Sequence, residues 1–188
     1  MVTRLFCLLL VLLMGVEVSA NSLPKQAAIP GGVVIVPLSV GTLVKPKVMF
    51  RDRQVAVVQH DKKWVAIVGV PLNAKIGAQT LYVTQNGKAN KILFHIEDKA
   101  YPTQHITIAD KRKVNPNKLD MTRINSESTI INAALIHWTD KSVLPFPFLW
   151  PIEGRVSGLY GRRRVFNGQS RRPHSGMDIA APTGTEIH

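Results

Sequence analysis

Cysteine, acidic side chains and long apolar runs are all scarce in this chain. The only cysteine is Cys7, and the only long apolar run, from Leu5 to Val16, contains it. Arg4 precedes that run, Gly15 alone interrupts it, and Val18-Ser19-Ala20 follows as a small-residue cleavage site. This order reads as a secretory signal peptide over residues 1–20. The run falls short of the ~20 apolar residues a spanning helix needs, so no transmembrane segment is expected after cleavage. Export to the periplasm or cell envelope, or beyond it to the outside, is therefore expected. Cys7 sits near the start of the run behind Phe6, not at its end, which argues against lipidation. A mature chain beginning at Asn21 has no thiol, which excludes disulfides, cysteine-ligated zinc and a cysteine nucleophile.

Acidic residues number 12 against 24 Lys plus Arg, a formal net charge of +12. An exported chain of that charge is drawn to anionic envelope polymers and lipid head groups. The plainer reading of the same charge is a solvated, solubilising surface. Nucleic acid is not an expected partner, because no recognition motif is present and export removes the chain from it.

Between residues 21 and 100 the pattern is that of a β-rich domain. Residues 33–38, 47–51, 55–59, 64–70, 79–84 and 91–96 are short runs rich in β-branched or aromatic side chains. Asp61-Lys62, Pro71-Leu72-Asn73 and Asn86-Gly87 supply turn chemistry between them. Short strands at this spacing predict a small antiparallel sandwich of immunoglobulin-like type. His60 and His95 have no partner at ligand spacing and are read as structural.

Residues 101–149 read as a linker. Asp120 is expected to cap a helix in which Met121, Ile124, Ile131, Ala134, Leu135 and Trp138 fall near helical spacing, an amphipathic segment packing between two domains. Ser126, Ser128, Thr129 and His137 there lack the supporting groups that nucleophilic catalysis requires. The proline-rich stretch 145–151 ends the helix in extended form.

The remaining segment, 150–188, carries the chemistry. His174 and Asp178 offer an imidazole and a carboxylate, a donor pair suited to Zn²⁺. In an extended strand four steps of about 3.3 Å would hold them roughly 13 Å apart, too far to share one ion. The chain must bend between them, and Gly176 is the residue expected to allow it. A turn running into a short strand follows. Arg162, Arg163, Arg164, Arg171 and Arg172 surround an Asn167-Gly168 turn. One reading is a solvated hairpin rim. The other, applied above all to Arg162, Arg163 and Arg172, has the guanidinium groups engage substrate carboxylates or hold Asp178 from behind.

The longer pattern around these residues is Pro151-x-x-Gly-x-Val-Ser-x-x-Tyr-Gly-x-Arg, then Asn167-Gly168, then His174-x-Gly-x-Asp-x-Ala-x-Pro-x-Gly-Thr-x-Ile187. It resembles the first segment of the lysostaphin-type (LytM-like) zinc metallopeptidases, bacterial murein endopeptidases. The resemblance implies an antiparallel β peptidase domain with a Zn²⁺-holding groove, His174 and Asp178 being two of three protein ligands. It implies that the third ligand and the catalytic histidines come from a later His-x-His motif and beyond. No His-x-His occurs here. Catalytic residues are thus expected downstream of His188, and the chain reads as a fragment that hydrolyses little by itself. Ile187 is expected to begin or continue a strand.

The sequence reading is therefore mainly β: a small sandwich-like domain, a helical linker, and the start of an antiparallel β peptidase domain. It implies an exported zinc metalloendopeptidase acting on peptidoglycan peptide cross-links. The alternative is a non-catalytic protein of the same fold that binds the wall or regulates a hydrolase, and zinc content separates the two.

Overall fold

Val34 and Val36 are buried while Ile35 between them is only half so, the period-two signature that turns a β-branched run into a half-buried strand. The computed structural model describes residues 23–41, 43–140 and 148–188. The signal-peptide reading of 1–20 and the first part of the extended stretch 145–151 lie outside the described residues.

The first seven strands are β1 (Val33–Pro37), β2 (Lys47–Phe50), β3 (Arg53–Gln54), β4 (Ala56–His60), β5 (Lys63–Gly69), β6 (Gly77–Gln85) and β7 (Lys88–Ile96). They form a three-stranded sheet of order β1-β5-β4 and a four-stranded sheet of order β3-β2-β6-β7, every pairing antiparallel. The chain visits the sheets alternately: β1, then β2-β3, then β4-β5, then β6-β7. This is the immunoglobulin strand order B-E-D facing C′-C-F-G. The core lies between the sheets, with Val34, Val36, Val57 and Val68 from one meeting Val48, Phe50, Leu81 and Val83 from the other. Phe50 and Phe94 meet edge to face at 5.3 Å.

The turns follow the predicted chemistry. Asp61 and Lys62 (φ 48° and 61°) close β4-β5, and Asn86 and Gly87 (φ 50° and 74°) close β6-β7, each a two-residue turn with both residues left-handed. Such turns match strand twist, so pairing runs to the turn's edge. That is why the expected strands at 79–84 and 91–96 lengthen to 77–85 and 88–96.

The linker stretch departs from expectation in three ways. Its first part is a strand, β8 (Thr103–Ile106), before α1 (Lys111–Val114) and α2 (Lys118–Ile136). The cap of α2 is Asn117, not Asp120. Asn117 Oδ1 accepts from the Asp120 N–H at 2.9 Å, and Asp120 Oδ2 accepts from the Asn117 N–H at 3.3 Å, a reciprocal capping box. The helix also buries no side chain: Leu119, Ile130, Ile131, Leu135 and Ile136 are all exposed, and so are His137 and Trp138. The expected apolar stripe is real at 121, 124, 131 and 135, but Leu119, Ile130 and Ile136 lie off it, so no face is cleanly apolar.

β9 (Arg155–Gly158), β10 (Arg163–Phe166), β11 (Gln169–Arg171) and β12 (Asp178–Ala180) complete the fold. β10 pairs antiparallel with β11 and parallel with β8, while β12 pairs antiparallel with β9. Asn167 (φ 48°) and Gly168 (φ 78°) make the β10-β11 turn. The Asn167 amide also exchanges two hydrogen bonds with the Ile108 backbone, 2.8 and 2.9 Å, extending the β8 pairing past its last residue. Ile187 is exposed and lies outside any strand; the His188 N–H instead donates to Pro151 O at 2.9 Å. Among the described residues no helix is long and apolar enough to cross a membrane.

Candidate metal centre

No apolar side chain after Val114 is buried among the described residues; the buried positions beyond it are Gly158, Gly161 and His174. A buried polar ring among glycines has no hydrophobic role to explain it. Backbone pairing holds it there. The Gly161 N–H donates to His174 O at 2.8 Å, and the His174 N–H donates to Arg162 O at 2.9 Å, so both backbone groups of the residue are fixed to the Gly161–Arg162 segment. Its Nδ1 lies 3.2 Å from Leu159 O. That carbonyl favours a proton on Nδ1 and leaves Nε2 with a free lone pair, the arrangement metal-ligating histidines use.

Nε2 points at Asp178. The distance to Asp178 Oδ1 is 3.1 Å, with His174 largely covered and the carboxylate about half exposed. Two donors bonded at ~2.05 Å to a tetrahedral Zn²⁺ stand roughly 3.3 Å apart. The pair therefore fits two corners of a zinc site. Among the described residues no group of three or more His, Cys, Asp or Glu converges.

The bend between the two residues does not need a left-handed glycine at 176. Gly176 is absent from the positive-φ positions, and a β-carbon there would meet nothing nearer than His174 Nε2 at 3.8 Å. The glycine the site requires is Gly158, across the sheet from Asp178. A β-carbon on Gly158 would collide with Asp178 Oδ2 and stand 2.9 Å from His174 Cε1. Sequence reading passed over Gly158, although an isolated glycine inside a strand pattern is a signal of close approach by other atoms.

Arg164 is the arginine that reaches the carboxylate, its Nη2 lying 3.9 Å from Asp178 Oδ2. Its Nε is buried without a hydrogen-bond partner among the described residues. Arg162, Arg163 and Arg172 make no ion pair among the described residues. Arg171 has turned away: its Nη2 donates to Val114 O and Asn115 Oδ1, each at 2.9 Å, and to Gln169 Oε1 at 2.6 Å, tying β11 to the end of α1.

Tyr101 buttresses the site from behind. Its ring fills the space a β-carbon on Gly161 (φ 81°) would need, with Cζ at 2.7 Å, and its hydroxyl donates to Pro30 O at 2.7 Å. Gly31 (φ 83°) is in turn enclosed by Tyr160, Leu72 and Tyr101. Burial, with Tyr160 alongside, raises the Tyr101 phenol above its ordinary value. The first sandwich and the His174 segment are thus joined through two glycines and two tyrosines. Only glycine tolerates both the positive φ and the ring contact.

Comparison with known proteins gives an independent line of information. Residues 26–99 match the family model of the peptidase family M23 N-terminal domain. Among solved structures the chain is similar to a crystal structure from Pseudomonas aeruginosa assigned to peptidase M23, at 27% identity and a TM-score of 0.66. That similarity covers 86% of this chain and 59% of the other, so the chain spans little more than half the length of its solved relative. No curated protein matches it.

Proposed function

We propose, from the premise that this chain belongs to peptidase family M23, that it serves an exported zinc metalloendopeptidase acting on the peptide cross-links of peptidoglycan. The observation that carries the reading is the His174–Asp178 pair: two donor atoms 3.1 Å apart with the histidine's other nitrogen held at a carbonyl. His174 and Asp178 would hold the ion, together with a third ligand of the kind the resemblance implies, from a His-x-His motif that this sequence does not contain. A zinc ion so held supplies Lewis acidity toward a peptide carbonyl and a water of lowered pKa. The chain's own residues fix the geometry of the donors. Leu159 O holds the imidazole, Gly158 leaves room for the carboxylate, and Arg164 draws on its outer oxygen. The net charge of +12 favours residence on an anionic wall.

The test is the protein purified from the cell envelope, assayed for zinc by elemental mass spectrometry and for release of peptides from isolated peptidoglycan. One zinc per chain, and cleavage that stops with chelator and in His174→Ala, supports the proposal. Wall binding without zinc and without cleavage would instead establish the non-catalytic alternative.

A further inference from the structure

Pro173 and Ser175, the chain neighbours of His174, line a cleft of about 600 Å³ together with Tyr160 and Arg172 and, from the turn between β5 and β6, Leu72 and Asn73. Its character is mixed. Leu72, Pro173 and the Tyr160 ring supply its apolar lining. Asn73, Tyr160, Arg172 and Ser175 supply polar groups that make no hydrogen bond or ion pair among the described residues. No acidic side chain lines the cleft, and Arg162 and Arg163 nearby in the chain likewise lack a carboxylate.

The geometry points to a subsite for a peptide carboxylate, in which Arg172 receives the charge and Asn73 and Ser175 receive peptide polar groups. This rests on the peptidase reading and extends it: the substrate carries a free carboxylate close to the bond that the His174–Asp178 centre would address. Size and chemistry agree with it. A volume of that order lies within the usual range for small-ligand pockets, about 300–1,000 Å³, and admits a short peptide. A guanidinium is a planar fork suited to a carboxylate, and the apolar side chains that share the cleft strengthen the pairing by keeping water from it. The inference also gives the sandwich a role, since one wall of the subsite is its Leu72–Asn73 turn.

The experiment is an NMR titration of the protein, in chelator and at fixed ionic strength, with an N-acetylated alanine tetrapeptide as free acid and as carboxamide. The acid should bind roughly fivefold or more tighter than the amide, the scale of a charge-assisted contact. Arg172→Gln should abolish that preference, Arg172→Lys should keep part of it, and Asn73→Ala should weaken both peptides. Arg172 is exposed and unpaired among the described residues, so its replacement leaves the fold intact, and thermal unfolding checks that. Equal binding of acid and amide overturns the subsite. Tighter binding in Leu72→Ala or Asn73→Ala overturns it too, because the turn would then obstruct the cleft. With no metal in the assay, failure here is separate from failure of the zinc reading, which zinc content alone decides.

Discussion

Gly158 and Asp178 face each other across β9 and β12 with no room for a β-carbon between them. The carboxylate oxygen nearest Gly158 is the one Arg164 approaches, and the other oxygen is the one 3.1 Å from His174 Nε2. Gly158→Ala therefore has to push the carboxylate out of line with the imidazole. Zinc affinity should fall by ~10- to 100-fold, the scale of a disturbed supporting contact. Stability should drop by about 1–3 kcal/mol from overpacking. Gly176→Ala meets only ordinary contacts and should leave both nearly unchanged. Competition with a chromophoric chelator and thermal unfolding measure the two effects; equal behaviour of the two variants would contradict this account.

Gly161 carries two constraints at once, a φ of 81° and the Tyr101 ring against its α-carbon. Gly161→Ala should destabilise the protein by about 2 kcal/mol or more, combining left-handed strain with overpacking. Tyr101→Phe keeps the ring and loses only the bond to Pro30 O, so about 1 kcal/mol is expected. Urea unfolding of both variants gives the order directly.

Acid should loosen the start of α2 before it touches the core. Arg112 Nε and Nη2 donate to Asp120 at 2.6 and 2.7 Å, and these bonds hold the carboxyl below its ordinary value of 3.8. A folded-state value below the unfolded one means the contribution is complete at neutral pH. It begins to be lost as pH falls past the unfolded value and is gone below the folded one. NMR titration of Asp120 should show a midpoint lower than in Arg112→Ala, and helical circular dichroism should decline over the same acid range.

Leu81 and Leu119 predict opposite outcomes for one substitution. Leu81 is fully enclosed between the sheets, whereas Leu119 on α2 is 80% exposed. Leu81→Ala should cost about 2–5 kcal/mol through the cavity it leaves. Leu119→Ala should stay within about 0.5 kcal/mol. Chemical denaturation of the two variants is sufficient to compare them.

Much of the sandwich was legible in the sequence because its determinants are local. Val34 and Val36 alternate with Ile35 on a pleat of period two, and Asn86-Gly87 needs only its own left-handed backbone to fix the β6-β7 register. Helix existence was legible for the same reason. Its cap was not, because Asn117 and Asp120 both satisfy the local rule and their spacing decides the roles only once Asp120 is seen to point back.

At the site, the residue types at 174 and 178 named the donor chemistry before any geometry was known. Several things depended on contacts between segments distant in sequence. They include the 3.1 Å separation of the donors, the choice of Gly158 over Gly176, and Arg164 as the arginine that reaches Asp178. The strand Thr103–Ile106 entering the sheet of β10 and the Leu72–Asn73 turn lining the cleft beside His174 are of the same kind. A sequence specifies what each residue can donate, accept or bend to, because those properties belong to single side chains and short stretches of backbone. Which atoms then meet is set by how strands far apart in the chain pair and pack, and only the folded structure contains those distances.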